Sequence, residues 1–195
     1  MKKLKLSLVV AMLAIVTAAS AQLNLGVKGG LNMSNMVGDE INDNNMKLGF
    51  HVGLAADYDF APSMAIQTGL LFTTKGTELN DNNNSNLMYL QVPVHFAYKQ
   101  EVTPGTRIVF HAGPYVAYGI GGKSKILGIE YDSFGDNSLK PFDAGLGLGV
   151  GAEFGRFIAD IGWDMGLVNI ASDTAEFFRG KTRNQNAYLS VGVKF

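Results

Sequence analysis

In the stretch Phe142-Asp143-Ala144-Gly145-Leu146-Gly147-Leu148-Gly149-Val150-Gly151-Ala152-Glu153-Phe154, every even-numbered residue is apolar and every odd-numbered one is glycine or acidic. A period of two is strand periodicity, because successive side chains of a strand point to opposite faces. A helix would scatter the same glycines around its circumference, at about 1 kcal/mol each. One face of this strand is continuously apolar. The other is nearly bare and carries two carboxylates.

The pattern predicts eight strands in all, this one running from Pro141 to Phe154. The others are Leu23 to Met33, Lys47 to Tyr58, Met64 to Lys75, Met88 to Tyr98, Thr106 to Ile120, Phe157 to Val168 and Ala187 to Phe195. The connections alternate between long and short. The long ones are 34–46, 76–87, 121–140 and 169–186, and the short ones are Asp59 to Pro62, Lys99 to Gly105 and Gly155-Arg156. Transmembrane barrels have an even strand count, short periplasmic turns and longer extracellular loops. The four long connections all fall on the side expected to be extracellular.

The start of the chain agrees with export. Lys2, Lys3 and Lys5 precede an apolar run from Leu6 to Val16, and Ala19-Ser20-Ala21 has the small-x-small form of a cleavage site. Residues 1–21 therefore read as a signal peptide and 22–195 as one barrel domain. The apolar run is shorter than the roughly 20 residues of a spanning helix. Loss of the three lysines moves the formal charge from −1 to −4, which argues against nucleic acid as a partner. The sequence has no cysteine, so it offers neither a disulfide nor a lipid-anchoring thiol.

The rival to a membrane barrel is a soluble one, apolar inside and polar outside. The charged strand residues favour the membrane form, because they share the glycine-rich face. Lys28, Lys47, Lys75, Arg107 and Lys194 stand against Asp57, Asp143, Glu153, Asp160 and Asp164, a set suited to pairing across a crowded lumen with His51, His95 and His111. The apolar face sorts its aromatics by height. Tyr58, Tyr98, Phe154, Phe157 and Phe195 fall at periplasmic strand ends, and Phe50, Phe72, Tyr118 and Phe142 nearer the other end, as in the girdles of membrane barrels. By analogy with other outer-membrane barrels, the terminal Phe195 is expected to be part of the signal read by the barrel insertion machinery.

Five segments carry a family resemblance: Gly26-Val27-Lys28-Gly29-Gly30-Leu31-Asn32, Tyr89-Leu90-Gln91-Val92-Pro93-Val94, Gly113-Pro114-Tyr115-Val116-Ala117-Tyr118, Phe142-Asp143-Ala144-Gly145-Leu146-Gly147 and Gly166-Leu167-Val168-Asn169-Ile170. In their order and spacing the chain resembles the small outer-membrane barrel proteins of Bacteroidetes called PorT-like, from end to end of the mature region. The resemblance implies an outer-membrane location and little about activity. The group's namesake serves a protein secretion system, but the shared residues are architectural.

The chemistry legible in the residues is sparse. A turn centred near Val102-Thr103 sets His95 and His111 nearly opposite each other, which opens a metal site or a proton switch beside the plainer reading of lumen filling. With no cysteine and no accompanying carboxylate spacing, lumen filling is the reading taken, and no metal, cofactor or catalytic residue is assigned. Ser190 is the one serine well inside a predicted strand, no Gly-x-Ser-x-Gly elbow occurs, and an enzyme is not expected. The tract Asn80 to Asn86 reads as a solvated loop. Ile126, Leu127, Ile129, Tyr131, Phe134 and Phe177-Phe178 read as strand extensions or caps over the barrel mouth in preference to a partner site. The expected protein is an eight-stranded antiparallel outer-membrane barrel with a plugged lumen. Its role is structural or surface-interacting, with lipid, the insertion machinery and a loop-binding partner as its contacts. A narrow channel for water or small solutes, or a place in an envelope or secretion complex, are the alternatives.

Overall fold

A computed structural model describes residues 23–38, 45–80, 83–126, 129–134, 139–172 and 181–195. The segment 1–21 expected to be a signal peptide, and Asp81, Asn82, Leu127, Phe177 and Phe178, lie outside the described residues. Nine strands follow in chain order: β1 Leu23–Gly38, β2 Asn45–Ala61, β3 Met64–Asn80, β4 Asn83–Thr103, β5 Thr106–Ile126, β6 Ile129–Asp132, β7 Phe142–Phe154, β8 Phe157–Gly166 and β9 Thr182–Lys194.

All strand pairings are antiparallel, and eight of the strands close on themselves in the order β1-β2-β3-β4-β5-β7-β8-β9 and back to β1. The closing ladder runs from Gly26↔Lys194 to Gly38↔Thr182, and Phe195 adds a hydrogen bond from its N–H to the Leu25 carbonyl at 2.8 Å. The short β6 folds back on the far end of β5 alone, from Lys123↔Asp132 to Ile126↔Ile129. Closure leaves no sheet edge, so each barrel strand has a neighbour on both sides for its backbone groups.

The alternation puts its apolar face outside. Leu48, Leu54, Leu148, Phe157, Val191 and Phe195 are among the large apolar residues left exposed on the outer wall, Phe195 at 72%. The interior holds buried Lys75, Lys99, Asp143 and Glu153 instead. A contiguous apolar belt outside and ionised groups inside are the reverse of a soluble barrel, and apolar patches of that extent are not left in water. Tight turns close one end. Gly105 (φ 79°) and Gly155 (φ 58°) take the left-handed conformation there, and the Gly155 N–H bonds the Gly105 carbonyl at 2.8 Å.

The strands run past the expected boundaries at the opposite end. β3 and β4 continue through most of the segment 76–87, as far as the pair Asn80↔Asn83, and β5 with β6 occupies part of 121–140. The tract Asn80 to Asn86 is therefore mostly ladder, not a solvated loop. Apolar alternation ceases there because the outer wall has left the lipid, while the backbone pairing needs no apolar residue to go on. A second difference lies at the β4–β5 turn. Thr103 pairs with Thr106, so the turn sits at Pro104-Gly105, His111 faces Ala97, and the two histidines are diagonal neighbours and not directly opposite.

Candidate functional site: a filled lumen closed at both ends

The lumen is built from the polar faces of the strands, the odd-numbered residues in the membrane-level parts of β2, β3, β4, β5 and β7 and the even-numbered ones of β1, β8 and β9. At the tight-turn end, three cations meet three acids. Lys99 Nζ lies 2.9 Å from Asp57 Oδ2, 2.8 Å from Asp59 Oδ1 and 3.3 Å from Glu153 Oε1. Lys194 Nζ reaches Asp57 Oδ2 at 2.8 Å and Glu153 Oε1 at 2.5 Å, and Arg107 Nη2 reaches Glu153 Oε2 at 2.6 Å. Lys99 is the hub, and it is fully buried. By alternation alone Lys99 falls in a turn, because the strand's apolar alternation ends at Tyr98. The signal that finds it is parity: Lys99 continues the series Gln91, Pro93, His95 and Ala97.

The middle layer holds the histidines. Asn32 Nδ2 donates to the Phe50 carbonyl, Thr73 Oγ1 and the Thr74 carbonyl, so Oδ1 is the atom that faces His51 Nδ1, at 2.8 Å. His51 therefore carries its proton on Nδ1 and accepts at Nε2 from Ser190 Oγ, 2.8 Å away. Across the lumen, Lys28 pairs with Asp160, and His111 Nε2 lies 2.9 Å from Asp160 Oδ1. His95 and His111 stack with ring planes 13° apart and their Nδ1 atoms at 3.0 Å. The rings lie against glycines of β7. A Cβ on Gly149 would stand 2.6 Å from His111 Nε2, so a side chain there displaces the imidazole.

Towards the loop end, Lys75 Nζ pairs with Asp143 Oδ2 at 3.5 Å and stands over the Tyr115 and Tyr89 rings at 4.5 and 5.5 Å. Asn184 Nδ2 donates to the same Asp143 oxygen at 3.0 Å, and Gln91 Nε2 to Asp164 Oδ2 at 3.0 Å. Above them Met36, Leu87, Tyr89, Tyr115, Ala117, Leu139 and Ile170 form a buried apolar cluster, with Phe134 packed on it. Phe134 stacks edge-on to Tyr89 with centroids 5.4 Å apart and lies over Gly119. Of the expected apolar loop residues, Phe134 helps cap the mouth, joined by Leu139 and Ile170 from the segments beside it, whereas Tyr131 stays exposed. Lys47 stands apart, half-buried near Gly76, and has no ion pair with a described carboxylate.

A cavity of about 80 Å³ lies between these layers, lined by residues that include His51, His95, Asp160, Asp164 and Ser190. No cluster of three or more His, Cys, Asp or Glu side chains suited to a metal occurs among the described residues. The cavity lies between an ionic layer and an apolar one, inside a wall of outward leucines and valines.

A family model described as outer membrane protein beta-barrel domain matches residues 18–172. The chain belongs to that family. It is an outer-membrane β-barrel. Among solved structures, Neisserial surface protein A is similar with a TM-score of 0.54 at 13% identity, over 88% of this chain and 97% of that one. Ail, the attachment invasion locus protein of Yersinia pestis, gives 0.49 at 15% identity, over 88% and 98%. At such identities the likeness is one of fold alone. No curated protein sequence matches the chain.

In this outer-membrane barrel Lys99 is the residue on which the lower closure turns. Replacing it by methionine keeps the stem and leaves three buried or half-buried acids with two cations. Removing one partner of a buried ion pair costs about 3–5 kcal/mol. Equilibrium urea unfolding in micelles, followed by the fluorescence of the sole tryptophan, Trp163, should show Lys99→Met destabilised by that amount. Adding Asp57→Asn should recover part of the loss. An unchanged unfolding midpoint for Lys99→Met would show that the lysine does not hold the cluster together.

Proposed function

We propose that this barrel is a closed scaffold that presents its extracellular strand extensions at the cell surface and is not a route for solutes. The observation that carries the reading is the double closure of the lumen, by the Lys99 cluster below and the Leu139–Ile170 cluster above. An eight-stranded barrel has an interior just wide enough for side chains to fill it. The β3–β4 hairpin and the β5–β6 hairpin rise past the outward apolar residues and offer paired backbone, with exposed polar side chains such as Asn86, Lys123 and Glu130. Reconstituted into planar bilayers, the protein should give no current steps above the lipid background. A reproducible single-channel conductance from the wild type would overturn the scaffold reading in favour of a channel.

The same reading makes the protein a non-enzyme. Asn32, His51 and Ser190 do stand in the order of a hydrolytic triad, base and hydroxyl at 2.8 Å. Acyl transfer also needs donors aimed at the developing oxyanion. Ser190 lies in a strand paired on both sides, opposite Gly30 and Asp160, so the backbone N–H groups beside it are committed to ladders. A small fluorophosphonate should leave Ser190 unlabelled in the folded barrel, and stoichiometric labelling there would sink the non-enzyme reading.

Phe195 is proposed as a contact of the barrel insertion machinery. Its ring is the most exposed large apolar group of the described residues and sits at the β1–β9 seam. Phe195→Ser should lower the amount of heat-modifiable barrel in the outer membrane severalfold, and wild-type levels would remove the assignment. The finer kinship with PorT-like proteins of Bacteroidetes rests on the five quoted segments. Finding them in the same order in close relatives from that phylum would support it, and finding them scattered among unrelated barrels would not.

A further inference from the structure

The hydrogen bonds of the central cavity do not all close within the protein. Asp164 accepts from two side-chain amides. One is Gln91, whose Nε2 lies 3.0 Å from Asp164 Oδ2, and the other is Asn186, its register partner on β9. A carboxylate accepts, so both amide nitrogens face it and both amide oxygens are turned away. Gln91 Oε1 and Asn186 Oδ1 then find no donor among the described residues, and His95 Nε2 finds no partner there either. All three side chains are more than nine-tenths buried, and all three line the cavity together with Asp164.

Buried amide oxygens are costly to leave without a donor, and native interiors nearly always supply one. Here it has to come from outside the chain. Water fits the need whatever the state of His95. It donates to an amide oxygen, and towards the imidazole nitrogen it donates or accepts as the tautomer requires.

The space fits as well. A bound water needs about 10–15 Å³ of cavity and two to four polar partners. The cavity of about 80 Å³ has room for several, and Lys28, Asn32 and Ser190 add polar groups to its wall. An apolar cavity of that size stays dry, and this one is not apolar. Gly147 brings two of the groups within common reach. A Cβ built there would stand 2.7 Å from Asp164 Oδ1 and 2.8 Å from His95 Nε2, so the two atoms lie within the span of one bridging water.

We propose that Gln91, Asn186, His95 and Asp164 bind a cluster of ordered water molecules in the middle of the lumen. The waters donate to the two amide oxygens and bridge Asp164 to His95. His95 stacks on His111, which reaches Asp160, so the cluster joins the amide layer to the histidine layer. The lumen is filled in part by held water and not by side chains alone.

The test counts the waters. The barrel, refolded into micelles, is measured by the magnetic relaxation dispersion of oxygen-17 water, which reports molecules held far longer than surface water and is blind to exchanging protons. The wild type should hold at least about two such waters. Ala55 lines the same cavity, and Ala55→Leu fills part of it with hydrocarbon. That variant should lose one or more of the waters, with heat-modifiability reporting its fold. In proton spectra of the wild type, the side-chain amides of Gln91 and Asn186 should show Overhauser contacts to water with the sign of a long-lived complex. A wild type without dispersion, or a folded Ala55→Leu with the count undiminished, would overturn the cluster. If Ala55→Leu does not fold, the amide contacts decide, and their absence at both residues counts against the proposal.

Discussion

Everything in this molecule depends on the ladder between β1 and β9. In lipid an unpaired backbone amide or carbonyl has no water to turn to, so a sheet can cross only if its first and last strands meet. The pairs from Gly26↔Lys194 to Gly38↔Thr182 make that closure. The apolar residues are then committed to the outer wall by the solvent they face, and the polar residues have nowhere to go but the lumen.

An eight-stranded lumen is too narrow for bulk water and too polar to be an ordinary core. The structure resolves this with glycine and with charge. Glycines on β7 make room where His95, His111 and Tyr115 cross the axis. The ionised groups neutralise one another in small sets, three against three at the turn end and one against one higher up. At the loop end the lumen gives way to Leu139, Ile170 and Phe134, which fold inward and make an apolar lid. The interior is thus a stack of layers, each held by different chemistry.

Much of this was legible in the chain. Strand number, direction, wall face and the inward set His51, Asp57, Lys75, His95, His111, Asp143, Glu153, Asp160, Asp164 and Lys194 follow from parity and apolar alternation. The misses share one cause. Alternation records lipid contact, and it falls silent where a strand leaves the membrane. Lys99 and Asp59 lie just past the apolar run at one end, and the extensions of β3, β4 and β5 lie past it at the other.

By itself the sequence determined the barrel, its inside-out polarity and its destination in the outer membrane, because those depend on which residues alternate and which solvent each face tolerates. Only the tertiary structure decided which inward groups meet. Register across the Pro104-Gly105 turn made His95 and His111 stacked diagonal neighbours. Closure carried Lys99 to Glu153, and His95 towards Asp164, from strands far apart in the chain. Such meetings depend on stagger around a closed sheet, and a one-dimensional pattern of period two does not contain the stagger.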